Sequence, residues 1–132
     1  MVIDSSALIA ILLEEPDAGA LAEVIEDAAA RLLSAATFVE AAIVIEARKG
    51  SEGARDLELL ISRTGIQVVA VDAAQAREAQ LAWRRFGKGN HPAGLNLGDV
   101  FSYALAKVTG SQLLYKGDDF AQTDLEAALP PP

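Results

Sequence analysis

Short aliphatic or β-branched runs alternate along this chain with longer stretches in which apolar residues recur every three or four positions. Val2-Ile3 opens the chain as a strand. Ser5-Ser6 can start a helix carrying Leu8, Ile9, Ile11, Leu12 and Leu13, and Pro16-Asp17 breaks it. Leu21, Val24 and Ile25 mark one face of a second helix, and Arg31-Leu32-Leu33-Ser34 reads as a second strand. The helix expected from about Phe38 to Lys49 is apolar almost all round, so it is either central in the core or half buried by a partner. Gly50 ends it, and another helix spans roughly Glu52 to Arg63. Gln67-Val68-Val69-Ala70-Val71 is the clearest strand of the chain. A helix over Asp72 to Phe86, a loop from Gly87 to Leu95, a helix over Gly98 to Val108 and a strand at Gln112 to Tyr115 complete the pattern.

Strands separated by helices imply parallel pairing with crossover helices, hence an α/β fold of three layers with a mostly parallel central sheet. In such sheets ligands gather beyond the carboxyl ends of the strands, where the strand order reverses. Four acids are expected on that rim: Asp4 and Asp118 directly follow strands, while Glu40 and Asp99 open helices that pack beside it. Residues 1–129 read as one domain, and Pro130-Pro131-Pro132 as a terminal tail expected to be disordered.

Each acid also has a purely structural explanation. Thr37-Phe38-Val39-Glu40 fits a capping box, and Asn96 can cap the helix whose first turn holds Asp99. Asp4 can cap the first helix, but so can Ser5 or Ser6. Asp118-Asp119 fits an ordinary turn pair. Glu46 serves as a control, because six residues on from Glu40 it is rotated by about 240° and cannot join the same cluster. Four carboxylates on one rim with no cation beside them in sequence cannot all stay ionised unless something positive is held among them. A divalent ion bound by carboxylates most often performs phosphate chemistry.

Composition narrows the alternatives. The 132 residues are 52% hydrophobic yet contain no run of 18 apolar positions, which points to a soluble domain with no membrane span. Asp4 interrupts the first apolar run and no basic segment precedes it, so no signal peptide is expected and the cytoplasm is the expected location. With no cysteine and one histidine, His91, thiol chemistry, catalytic triads and histidine-rich metal sites are excluded. The net charge of −8 argues against binding driven by the nucleic-acid backbone alone. Bound divalent ions would offset part of that excess, and Arg84, Arg85, Lys88 and His91 form a local basic stretch suited to the rim of a nuclease.

The opening Met1-Val2-Ile3-Asp4-Ser5-Ser6-Ala7-Leu8, the mid-chain Thr37-x-x-Glu40, the helix start Asn96-Leu97-Gly98-Asp99 and the late Lys116-Gly117-Asp118-Asp119-Phe120 together resemble the PIN-domain ribonucleases. More narrowly they look like the VapC toxins of bacterial toxin–antitoxin pairs, over essentially the full chain. The resemblance implies a three-layer α/β/α fold, RNA cleavage dependent on Mg²⁺ or Mn²⁺, a homodimer and a cognate VapB-type antitoxin. It makes Asp4, Glu40 and Asp99 the first three acids of the site, and Ser6 the small hydroxyl residue supporting the first. Many family members read Asp-x-Asp-Phe at the fourth acid, whereas here Gly117 stands at the first of those positions; Asp118 is taken as the fourth acid, with Asp119 as the competing assignment. Asp4, Asp99 and Asp118 are then the expected metal ligands, with Glu40 positioning water. In-line attack would leave a 5′-phosphate and a 3′-hydroxyl. Arg84, Arg85 and Lys88 are the candidates for holding the RNA backbone.

Two readings from other classes compete. A phospho-acceptor receiver domain would use Asp72 as acceptor and Lys116 as its lysine, although Asp72-Ala73-Ala74-Gln75 reads better as a helix cap. A catalytically inactive PIN-like scaffold would retain the fold without the reaction.

Overall fold

A computed structural model describes residues 1–130; of the expected tail, Pro131 and Pro132 lie outside the described residues. Among these residues, four strands form one sheet: β1 (Val2–Ile3), β2 (Leu32–Ser34), β3 (Gln67–Val69) and β4 (Leu113–Leu114). Their order is β3-β2-β1-β4 and every pair is parallel, with Val2 opposite both Leu32 and Leu113. Strand order therefore grows outward from β1 in one direction and then reverses to place β4 on its other side. The crevice expected at such a reversal lies between the carboxyl ends of β1 and β4.

Both faces of the sheet are covered, so successive strand residues serve opposite cores. Val2, Leu32 and Leu113 enter the apolar cluster beneath α4 (Ala73–Phe86) and α5 (Leu97–Thr109), with Ala82, Tyr103 and Leu105. Their neighbours Ile3, Leu33 and Leu114 enter the opposite cluster, beneath α1 (Ser5–Leu12), α2 (Ala18–Asp27) and α3 (Ala35–Thr64), with Leu8, Leu21, Ile45 and Leu57. The two-residue alternation of a strand thus divides the chain into the three expected layers.

The helical reading needs one adjustment in this region. α3 begins at Ala35, three residues ahead of Phe38, because Ser34 at the end of β2 caps it by accepting the Ala36 amide at 3.3 Å. Thr37 is consequently inside the helix and makes no capping box with Glu40. Gly50, at φ 65° and ψ −155°, interrupts α3 where the sequence places a helix end. β3 covers only three of the five residues in its apolar run, and Val68 is 43% exposed because β3 is an edge of the sheet. The other edge is shielded: Leu113 N–H donates to Glu126 O at 3.0 Å and Ala128 N–H to Leu113 O at 2.8 Å.

Arg31 joins the helix ends behind the sheet. Its guanidinium donates to Ile25 O, to Glu26 O at 2.6 Å and to Thr64 O at 2.8 Å, so one cation serves the carboxyl ends of both α2 and α3. Arg31→Ala leaves three carbonyls to find other partners, and urea unfolding should show a loss of about 2 kcal/mol. An unchanged midpoint would show that water replaces the guanidinium without cost.

Candidate active site

Asp4 follows β1 and caps α1, so the chain turns from strand to helix at a carboxylate that is 2% exposed. Burying an ionised carboxylate requires donors. The Ser6 amide and Ser6 hydroxyl donate to Asp4 Oδ2 at 3.1 and 2.7 Å, and the Ser102 hydroxyl donates to Oδ1 at 2.6 Å. Ser6 Oγ in turn accepts the Lys116 amide at 3.0 Å, tying the start of α1 to the loop after β4.

Asp99 is the third residue of α5, where Asn96 and Asp99 form a reciprocal capping box with distances of 2.9 and 3.0 Å. The helix start explains its place but not its energetics. Burial pushes the Asp99 carboxyl up to about 7; the Asn96 amide pulls it partly back, and the adjacent Asp4 and Asp119 carboxylates raise it further. Helix capping alone does not call for a carboxylate crowded by two others.

Glu40 approaches from α3. Ser5 Oγ donates to Glu40 Oε1 at 2.7 Å, and the carboxylate lies against Gly98 in the first turn of α5. A Cβ at position 98 would collide with Glu40 Oε2 and sit 2.8 Å from Oε1. Gly98→Ala should therefore displace Glu40 while favouring the helix by up to about 1 kcal/mol. We expect an unchanged or higher melting temperature with cleavage slowed roughly a hundredfold, since small misplacements at a reacting centre cost about that much. Wild-type turnover in Gly98→Ala would remove Glu40 from the site.

The loop after β4 separates its two acids. Asp119 lies near enough to Asp99 for its carboxylate to raise the Asp99 carboxyl. Burial, and after it the Asp118 carboxylate, raises the Tyr115 hydroxyl, and Asp118 lines an adjoining cavity of about 570 Å³ with Leu21, Tyr115 and Lys116. Proximity in the sequence to β4 did not distinguish them, because Gly117, at φ 101°, turns the backbone between strand and acids.

The basic stretch is divided. Arg85 pairs with Asp124 at 3.8 Å and lies 4.7 Å over the Phe86 ring, while His91 stacks edge-on against Phe86 and accepts the Ala93 amide through Nδ1 at 3.0 Å. Arg84 and Lys88 are exposed. The receiver reading fails on topology: Asp72 follows β3 and Lys116 follows β4, at opposite edges of the sheet. Asp72 caps α4 through the Gln75 amide at 2.8 Å, and Lys116 pairs with Glu15 and Asp17 at 3.0 and 3.2 Å.

Sequence reasoning missed three supporting residues: Ser5, Gly98 and Ser102. Ser102 sits in the middle of α5 with nothing in its neighbours to mark it. Its position three residues after Asp99 on the same helix was the available signal.

Among the described residues, no three acidic side chains are gathered as a ready-made metal cage. The donor set nevertheless fits a hard divalent cation: its ligands are oxygens, Asp99 is crowded by like charges, and Mg²⁺ commonly takes one or two carboxylates and completes its shell with water and substrate phosphate.

The model of the PIN domain family matches residues 1–126, and the chain belongs to that family. Its curated relatives include VapC proteins. It is 56% identical over 127 residues to the ribonuclease VapC of Mycolicibacterium smegmatis, covering 96% of this chain and 98% of that protein. It is 52% identical over 131 residues to ribonuclease VapC30 of Mycobacterium tuberculosis, covering 98% and 100%. Among solved structures, the Mycobacterium tuberculosis toxin VapC20, described as cleaving the sarcin–ricin loop, aligns with a TM-score of 0.79 at 17% identity over 98% of each chain. A toxin–antitoxin complex from Klebsiella pneumoniae aligns with a TM-score of 0.69 at 18% identity over 93% of this chain and 92% of that one. These two distant structures share the fold.

Proposed function

We propose that this chain is the toxin of a type II toxin–antitoxin pair, an endoribonuclease whose site is Asp4, Glu40, Asp99 and Asp119. The site assignment rests on the frame that joins three acids, with Ser102 on the helix of Asp99 donating to Asp4 and Ser5 beside Asp4 donating to Glu40, and on the burial and neighbouring charges that push the Asp99 carboxyl up. Such a group is relieved by a bound cation. Asp4 and Asp99 would hold Mg²⁺ or Mn²⁺, with Asp119 closing the set in place of Asp118. The cation would activate water and neutralise charge on the phosphoryl oxygens. Glu40, oriented by Ser5 and seated on Gly98, holds or accepts a proton from the attacking water. Attack in line with the leaving oxygen gives a 5′-phosphate and a 3′-hydroxyl, using neither a histidine nor the 2′-hydroxyl of RNA.

Arg84 and Lys88 are the proposed backbone contacts, while Arg85 has a structural partner in Asp124. A second copy of the chain and a VapB-type antitoxin are the proposed protein partners. Val39, Ile43 and Leu97, exposed by 53%, 64% and 72%, make an apolar fringe on the helices that carry Glu40 and Asp99, which supports a rim covered by protein between catalytic events. Among the described residues no helix is long and apolar enough to cross a membrane, and the proposed site of action is the cytoplasm, where RNA is the substrate.

The deciding experiment incubates antitoxin-free protein with total bacterial RNA and Mg²⁺, alongside EDTA and Asp99→Asn controls, and maps the fragment ends. Discrete, metal-dependent cuts bearing 5′-phosphates are expected. No cleavage by folded protein over a wide RNA panel would leave the catalytically inactive scaffold as the better reading.

A further inference from the structure

We infer that Ser102, held in turn by Thr37, is a positioning residue that orients the Asp4 carboxylate for cation binding. The inference rests on the metal-dependent reading of the site and adds to it two residues from different helices. Both side chains are buried, at 0% and 1% exposure. A serine inside a helix ordinarily returns its proton to a carbonyl one turn back. Ser102 instead donates across the core to Asp4 Oδ1, 98 positions away in sequence, at 2.6 Å.

The direction of the remaining bond follows from proton counting. Ser102 has one hydroxyl proton, and an ionised carboxylate can only accept. With that proton directed at Asp4 Oδ1, the 3.1 Å contact between Ser102 Oγ and Thr37 Oγ1 must have Thr37 as donor. Thr37 thereby fixes the hydroxyl rotor of Ser102, and Ser102 fixes Oδ1. Ser6 supplies two further donors to Oδ2. A carboxylate offers about four acceptor positions, so these three donors leave about one for a cation. The relay also pins α3, which carries Glu40, to α5, which carries Asp99. Outer partners of this kind typically change metal affinity by about 10- to 100-fold when removed.

The test follows the melting temperature of the full chain against Mn²⁺ and Mg²⁺ concentration, and cleavage over the same series, for wild type, Ser102→Ala, Thr37→Val and Thr37→Ser. Ser102→Ala should move the cation midpoint upward by about 10- to 100-fold, with cleavage at saturating cation kept within a few-fold. Thr37→Val should move it less, and Thr37→Ser, which keeps the hydroxyl, should titrate as wild type. Should Ser102→Ala fail to fold, the contrast between Thr37→Val and Thr37→Ser decides. Midpoints unchanged in Ser102→Ala and Thr37→Val, with wild type responding normally, would overturn the positioning role alone. Absence of any cation response in wild type would remove the metal reading and the relay's role together.

Discussion

Asp99→Asn is expected to abolish RNA cleavage, by about a thousandfold or more, while making the cation-free protein more stable at pH 8. A thousandfold loss corresponds to about 4 kcal/mol of transition-state stabilisation, within the range supplied by a correctly held metal ion. The fold should survive because the asparagine Oδ1 can still accept the Asn96 amide that closes the capping box. The stability gain has a separate cause. Asp99 is 8% exposed and crowded by Asp4 and Asp119, and an amide replaces that repulsion with a donor. Cleavage assays and thermal melts on the same preparation read both effects. A stable mutant that cleaves normally would exclude Asp99 as a ligand. An inactive mutant with lowered stability would instead assign the residue to helix capping alone.

The placement of the candidate acids was legible because the sequence marks where strands give way to helices. Strand ends read at Ile3 and Tyr115, the latter one residue past the end of β4, and the helix start around Asn96 place Asp4, the Asp118-Asp119 pair and Asp99 at the carboxyl rim once the sheet is parallel. What stayed hidden depends on side-chain direction. Thr37-x-x-Glu40 has the spacing of a capping box, yet Ser34 takes the cap and releases Thr37 to face Ser102. Local spacing describes which bonds are possible, and a competing cap three residues upstream decides which is made. The fourth acid was ambiguous because a glycine at positive φ precedes both candidates, and the turn it makes has no periodicity to extrapolate. The long apolar helix had two compatible fates. Ala41 and Ile45 are buried while Val39 and Ile43 are exposed, so one helix serves the core and also presents an apolar outer surface.

Cation binding should weaken about tenfold for each pH unit below 7, and this follows from Asp99 with its sign worked through. The ordinary carboxyl value is 3.8 and the folded value is about 7. Between those values the folded state holds a proton that the unfolded state has released, so the stability of the cation-free protein falls as pH rises from about 4 to 7 and stays low above it. A cation needs the ionised carboxylate and must displace that proton below pH 7, which costs one proton per ion bound. At pH 8 no proton is displaced, and a cation at about a hundred times its dissociation constant should stabilise by about 2.7 kcal/mol, a shift of about 10 °C for a chain of this size. Thermal melts from pH 5 to 8, with Mg²⁺ or EDTA, measure both trends. Asp99→Asn should flatten the pH dependence of the EDTA series. A cation-induced shift of equal size at pH 5 and pH 8 would place the ion on other ligands and leave Asp99 outside the metal site.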